Sequence, residues 1–135
     1  MKFEFLEHTA DVKFRAFGKS LGEAFENAIL AFADFVGKNK EIQKTRRKRI
    51  EIKGDDKKSL FYNFLEELIY LLDTEGFVVS SGKVRVEGNK LVGELEGDDV
   101  ANYESLEHVK AATYAEMRIS KKDEKRWFVQ AVMDV

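Results

Sequence analysis

Residues 12–37 read VKFRAFGKSLGEAFENAILAFADFVG, and the period of the hydrophobic residues changes within this stretch. Its first five residues alternate apolar and charged side chains, which is the pattern of a half-buried strand. From Ser20 onward the apolar residues recur at helical spacing, and Ser20 with Glu23 has the spacing of a capping box. Gly37 is a typical helix stop. The stretch therefore predicts a strand followed by a helix that ends at Gly37.

Both periods recur elsewhere in the chain. Phe3 and Phe5 alternate with polar residues, which predicts another half-buried strand. Gly-Asp-Asp at 54–56 opens a second helical pattern, with carboxylates at the positive end of the helix dipole, and Gly76 closes it. The sequence thus predicts two amphipathic helices.

The remaining sequence is mostly of strand type. Gly-Asn at 88–89 is the signal for a tight hairpin between two alternating runs. Gly-Asp-Asp at 97–99 has the composition of a turn. A last strand pair is predicted over 111–119 and 126–133, joined by a polar loop at 120–125. Strand runs with two helices between them favour an α+β fold, with both helices packed on one face of a mainly antiparallel sheet.

Length and composition limit the class of protein. The 135 residues suit one domain, 1–135, and the absence of cysteine excludes disulfides and thiolate metal sites. The first residues are charged at every few positions and lack the apolar run of a signal peptide. No segment approaches the roughly 20 apolar residues that cross a bilayer. We therefore expect a cytoplasmic protein without membrane contact.

Two acidic segments are candidates for a site. His8-Thr9-Ala10-Asp11, between the first two strands, suits either a ligand or acid–base pair or a turn in which Asp11 accepts backbone amides. The last strand runs into Asp134-Val135, where an aspartate adjoins the α-carboxylate. If Asp11 also reaches that point, three carboxylates converge, and such oxygen donors select calcium, magnesium or manganese. The alternative for Asp134 is a frayed chain end without a role.

Two basic segments allow other contacts. His108, Lys110 and Thr113 can surround a phosphate or a carboxylate, or they can be surface residues, with Lys110 paired to a nearby glutamate. Residues 44–49 form a basic run that suits an RNA backbone, an acidic protein partner or plain solvation. No aromatic residue is interleaved with this run to stack on bases.

Several of these segments together resemble the archease family, over essentially the whole chain. The resemblance is carried by FLEHTADV at 5–12, GKSLGEAFENA at 18–28, LEHVKAATY at 106–114 and the closing Asp-Val at 134–135. It implies an accessory protein and not an enzyme. Archeases activate the tRNA-splicing RNA ligase, which seals 3′-phosphate or 2′,3′-cyclic phosphate ends, by promoting its guanylylation and multiple turnover.

The resemblance also implies a site. A divalent cation, calcium first and magnesium or manganese as alternatives, is expected on Asp11, Asp134 and the backbone carboxylate of Val135. His8 and Lys110 are expected nearby, where they contribute to activating the ligase. Two other interpretations stay open: a general protein or RNA chaperone, and a metal-dependent hydrolase, which would need the same carboxylates, an open position for water and a general base.

Overall fold

The described residues of the computed structural model are 1–8 and 10–135, so Thr9 of the predicted motif lies outside them. They form two α-helices, eight strands and a short 3-10 helix at Val100–Asn102. The helices are α1, Leu21–Val36, and α2, Lys57–Asp73. The strands are β1 (Phe3–Leu6), β2 (Asp11–Gly18), β3 (Arg46–Lys53), β4 (Phe77–Glu87), β5 (Lys90–Asp99), β6 (Ala111–Ala112), β7 (Arg118–Asp123) and β8 (Arg126–Asp134).

Both helices begin at the caps that the sequence predicts. The Ser20 hydroxyl accepts the amide of Glu23 at 3.1 Å, and the Glu23 carboxylate accepts the amide of Lys19 at 2.9 Å. At α2 the Asp56 carboxylate accepts the Ser59 amide at 2.7 Å, while the Ser59 hydroxyl accepts the Asp56 amide at 3.0 Å. These reciprocal bonds satisfy amides that lack a partner within the helix. Neither helix is both long enough and apolar enough to cross a membrane.

The strands are divided between two antiparallel sheets. The first has the order β1-β2-β8-β6, with β7 also paired to β8, and the second has the order β3-β5-β4. Strand β8 is therefore bonded to β2 along one edge and to β6 and β7 along the other. Helix α1 packs on β2 of the first sheet and on β4 of the second, and the buried residues form one core. The predicted α+β class is confirmed, but the strands form two sheets where the sequence suggested one.

The turn predicted at 97–99 is wrong, because these residues lie within β5. Asp98 is only 2% exposed, yet its carboxylate has the donors that water would otherwise supply. It accepts hydrogen bonds from the Thr45 hydroxyl, the Tyr103 hydroxyl and the Asn102 amide. Tertiary hydrogen bonds thus stabilise a buried carboxylate in a segment whose composition is typical of a turn.

The strand predicted at 111–119 is interrupted, which corrects both its length and the loop after it. After β6 the chain turns, and Glu116 adopts the left-handed region with φ of 53°. The side-chain amide of Gln130 donates to the Glu116 carbonyl at 2.7 Å and supports this conformation. Pairing with β8 then resumes in β7, which extends to Asp123. The predicted polar loop at 120–125 is thereby reduced to its last two residues.

Asp98→Asn is expected to change how stability depends on pH. Hydrogen bonds from Thr45, then from Tyr103, lower the pKa of Asp98 from its ordinary value of 3.8 to about 2. Because the folded pKa is depressed, the stability from this carboxylate is complete above about pH 4 and is lost as the pH falls through about 2. The variant should therefore be less stable at neutral pH and should lose less stability between those limits.

Urea unfolding at neutral pH and at about pH 2.5 measures both effects. Asp55→Asn, which removes an exposed carboxylate before α2, is the matched control and should keep the pH dependence of the parent. An Asp98→Asn protein with the parent's pH dependence would mean that Asp98 titrates alike in the folded and unfolded chains.

Candidate functional site

The pairing of β2 with β8 places Asp11 directly opposite Asp134 at the end of the two strands. Side chains of opposed residues share one face of a sheet, with Cβ atoms about 4.5–5.5 Å apart. Met133 is fully buried, so the alternation of the strand directs Asp134 to the outer face. Two carboxylates in this position repel each other unless a positive charge lies between them. A cation-binding role for this pair stays a prediction.

The end of β8 is held on both sides. The Asp134 carbonyl accepts the Lys110 amide at 2.8 Å, and Asp134 also pairs with Ala111 of β6. Val135 is half-buried and packs against the core. These contacts hold Asp134 in the sheet and disfavour the alternative of a frayed end.

His8 bridges the carboxylate pair to a third acidic residue. Its Nδ1 lies 3.4 Å from Asp11 Oδ2, and its Nε2 lies 2.7 Å from Glu116 Oε2. The other oxygen of Glu116 accepts a hydrogen bond from Lys13 Nζ at 2.9 Å. The hydrogen bonds from Lys13 and His8 hold the pKa of Glu116 below its ordinary value of 4.5. The result is a continuous chain of ionisable side chains from Asp11 to Lys13 on the outer face of the sheet.

Glu116 and Lys13 are the residues of this cluster that sequence reasoning missed. The pattern at 111–119 predicts an unbroken strand, which gives Glu116 no special position. Its place depends on the left-handed turn after β6, and no glycine or asparagine marks that turn. The local signal is weak, because Glu116 is only one of two charged residues in this run, with Arg118.

The third segment from the sequence does not form a common anion site. His108 is exposed and its Nδ1 lies 3.9 Å from Asp73 Oδ1. The Thr113 hydroxyl donates to the Val132 carbonyl at 2.8 Å. Lys110 adjoins Asp134 through its backbone amide, and its exposed ammonium group has no ion pair among residues 1–8 and 10–135. Of the three, only Lys110 lies beside the carboxylate pair.

The carboxylates of Asp11 and Asp134 are the type of donor that a hard cation prefers, but these two side chains alone would not complete its coordination. Within the described part of the chain, no three His, Asp or Glu side chains are arranged to hold a metal ion. A cation on Asp11 and Asp134 stays a prediction, and it would need a further donor other than such a side chain. The further donor that the family resemblance implies is the backbone carboxylate of Val135. Oxygen donors of this type suit calcium, magnesium or manganese.

Most cations of the run at 44–49 already contact other side chains. Arg46 lies over the ring of Phe77 at 5.5 Å, Lys48 Nζ lies 2.5 Å from Glu75, and Arg49 lies 2.8 Å from Glu94. Residues 46–49 of the run belong to β3, an edge strand of the second sheet. Charges on an edge strand keep it from pairing with another chain. RNA contact through this run stays a prediction, with a structural role as its simpler explanation.

Comparison with known proteins gives consistent matches over the whole chain. The sequence pattern of the archease protein family matches residues 3–135. The archeases of Pyrococcus furiosus and Pyrococcus abyssi are 41% and 39% identical to the chain over 140 aligned residues, covering 99% of each protein.

Two solved structures have the same fold. The solution structure of protein 1598 of Methanobacterium thermoautotrophicum superposes with a TM-score of 0.79 at 31% identity, covering 98% of both chains. The crystal structure of a Thermotoga maritima archease, described as a possible chaperone, superposes with a TM-score of 0.67 over 96% of this chain and 94% of that one. At 22% identity the second likeness concerns the fold.

Proposed function

The chain belongs to the archease family, and on that premise we propose that it is an accessory protein of the tRNA-splicing RNA ligase and not an enzyme. It promotes guanylylation of the ligase, which seals 3′-phosphate or 2′,3′-cyclic phosphate ends, and so allows multiple turnover in the cytoplasm. The observation that carries the proposal is the opposed pair of Asp11 and Asp134. Two opposed carboxylates lower the stability of the fold, and their presence is explained if they bind a cation and contact a partner.

In this proposal Asp11, Asp134 and the carboxyl group of Val135 hold a divalent cation, calcium first and magnesium or manganese as alternatives. When bound, such a cation supplies the positive charge that three neighbouring carboxylates require. The sheet supports this geometry, since the Lys110 amide and the Ala111 pairing fix the Asp134 backbone. Activation then depends on presenting this acidic end to the ligase.

His8, Glu116 and Lys13 act in the proposal as positioning residues. The contact of His8 with Asp11 orients the carboxylate, and Glu116 in turn orients His8. Lys110 provides an exposed cation beside Asp134, where it can meet an acidic group of the ligase. An archease that binds only the nucleotide-accepting conformation of the ligase would raise the population of that conformation.

Glu116→Gln is expected to weaken calcium binding by about tenfold, because residues that orient metal ligands typically contribute about 10- to 100-fold to affinity. The amide keeps the shape of the carboxylate but loses the charge that faces both His8 and Lys13. Calcium titration followed by calorimetry measures the effect. Glu124→Gln, in the exposed turn between β7 and β8, removes the same charge elsewhere and should bind as the parent does. Equal affinities for all three proteins would remove Glu116 from the site.

The proposed function is tested by ligation of a 3′-phosphate RNA with limiting ligase, with and without this chain. We expect the chain to convert single turnover of the ligase into multiple turnover, and to increase the fraction of guanylylated ligase. Unchanged turnover and unchanged guanylylation would overturn the proposal. Protection of unrelated proteins from aggregation, equal in the parent and in Asp11→Asn, would instead support a general chaperone.

A further inference from the structure

A basic cavity lies at the opposite end of β2 and β8 from the carboxylate pair. Gly18 and Trp127, which pair at that end of the two strands, both line it. It is a cavity of about 800 Å³ whose described lining includes seven Lys or Arg side chains and two Glu. The whole chain carries a net charge of −2, so this end is strongly positive while the remaining surface is negative. This separation of charge favours a polyanionic ligand at this end.

Most of the cavity's cations are not neutralised within the protein. Lys2, Lys19, Lys83, Lys122 and Lys125 have no ion pair among residues 1–8 and 10–135. In β3, by contrast, Lys48 and Arg49 are paired with acidic side chains. Free ammonium groups facing one cavity repel each other, and an anion that enters it relieves that repulsion.

The two acidic residues of the cavity are already engaged. The Glu23 carboxylate accepts the Lys19 amide at 2.9 Å, and the Glu26 carboxylate accepts the Val84 amide at 2.8 Å. Both carboxylates are thus committed to backbone donors that fix them in place. They do not bridge to the free lysines, which stay available to a ligand.

Aromatic side chains adjoin these cations. Trp127 and Phe17 are half-buried and line the cavity, so each has a surface open to it. Lys122 Nζ lies 5.8 Å from the centroid of the Phe128 ring, and Arg15 lies 4.5 Å from the same centroid. A positively charged groove with aromatic surfaces is how proteins bind single-stranded nucleic acid, since phosphates meet the cations and bases stack on the rings. An acidic peptide would use the cations but would not need the aromatic surfaces.

We propose that this cavity binds single-stranded RNA, with phosphates on Lys122, Lys125 and their neighbours and a base beside Trp127. The site lies seven residues along β2 from Asp11, which at about 3.4 Å per residue is about 24 Å from the carboxylate pair. RNA bound in this cavity would extend towards the acidic end of the two strands without occupying it. The proposal stands on the charges and rings of the cavity and does not depend on activation of the ligase.

Titration with an oligouridylate decamer tests the proposal. Trp127 is the only tryptophan of the chain, so its intrinsic fluorescence reports on this cavity alone. We expect saturable quenching by the decamer, and about tenfold weaker binding by the double variant Lys122→Gln/Lys125→Gln at 0.1 M salt. The slope of the logarithm of affinity against the logarithm of salt concentration should also become shallower, by about 0.7 for each phosphate that the variant no longer neutralises.

The double variant Lys44→Gln/Arg47→Gln removes the same charge from β3 and the residues before it, and is the matched control. It should bind the decamer within about twofold of the parent, because distant surface charges are screened beyond about 10 Å at 0.1 M salt. Equal weakening of both double variants, or binding without any change in Trp127 fluorescence, would overturn the proposal. A decamer of glutamate that quenches Trp127 as strongly as the RNA would assign the cavity to an acidic protein segment instead.

Asp11→Asn separates this proposal from the proposed function. It leaves the cavity intact and should bind the decamer as the parent does. If this variant binds RNA normally but fails to activate the ligase, both proposals hold. If the parent activates the ligase but binds no RNA, the cavity proposal alone fails.

Discussion

Asp11→Asn and Asp134→Asn are each expected to return the ligase to a single turnover, which is the largest functional effect we predict. The two carboxylates oppose each other at the end of β2 and β8. Replacing either by an amide leaves its shape but removes half of the side-chain charge that would hold the cation. Ligation of a 3′-phosphate RNA by limiting ligase measures the loss.

The same two variants should not be less stable than the parent when no divalent cation is present. Removing one of two opposed carboxylates relieves their repulsion, so the melting temperature in a chelator should stay equal or rise. With calcium at about 100 times its dissociation constant, the parent should gain about 2.7 kcal/mol, and the variants should not. A variant that keeps its stability in the chelator but gains none from calcium has lost the site and not the fold.

Asp55→Asn is the matched control for both measurements, since it makes the same substitution in an exposed segment before α2. It should activate the ligase fully and gain the same stability from calcium. Full activation by Asp11→Asn or Asp134→Asn would contradict the proposed role of the pair. Destabilised variants in the chelator would indicate that the carboxylates have a structural role.

Phe61→Ala is expected to have the largest effect on stability, a loss of about 3–5 kcal/mol in the free energy of unfolding. Phe61 is fully buried in α2, and its ring centroid lies 4.9 Å from that of Phe25 in α1 and 6.5 Å from that of Phe14 in β2. It therefore joins both helices to the first sheet. Domains of this size are stable by about 5–15 kcal/mol, so the variant would lose a large share of that stability.

Urea unfolding of Phe61→Ala and of Tyr70→Ala provides the comparison. Tyr70 lies in the same helix but is 49% exposed, so its replacement should change stability by about 0.5 kcal/mol or less. The urea midpoint of Phe61→Ala should fall with little change in the slope of the transition. A loss of less than about 2 kcal/mol would mean that the surrounding rings collapse into the cavity.

The helices were predictable because their signals are local. The caps at Ser20 and Asp56 involve residues within four positions of each other, and the apolar periods are continuous. The division into two sheets was not predictable, because Asp11 pairs with Asp134 across nearly the whole chain and alternation does not identify a partner. Asp98 was misplaced for the same reason, since its hydrogen-bond donors include Thr45, which lies far from it in sequence.

The candidate site was predictable only in part. Sequence pattern left Asp11 and Asp134 between a functional and an ordinary interpretation, and the family resemblance decided in favour of the first. The structure adds that Asp11 and Asp134 lie directly opposite each other on β2 and β8, which neither sequence segment shows by itself. Glu116 and the basic cavity escaped prediction because each depends on residues that are distant in sequence and brought together by β8.

Strand β8 is hydrogen-bonded along both edges, and this has a consequence for partly unfolded forms of the protein. Its amides and carbonyls are paired with β2 on one side and with β6 and β7 on the other, so they exchange with solvent only when a large part of the first sheet opens. The acidic end and the basic cavity lie at the two ends of this one strand. They therefore belong to a single cooperative unit, and a form that has lost one of them has lost the other.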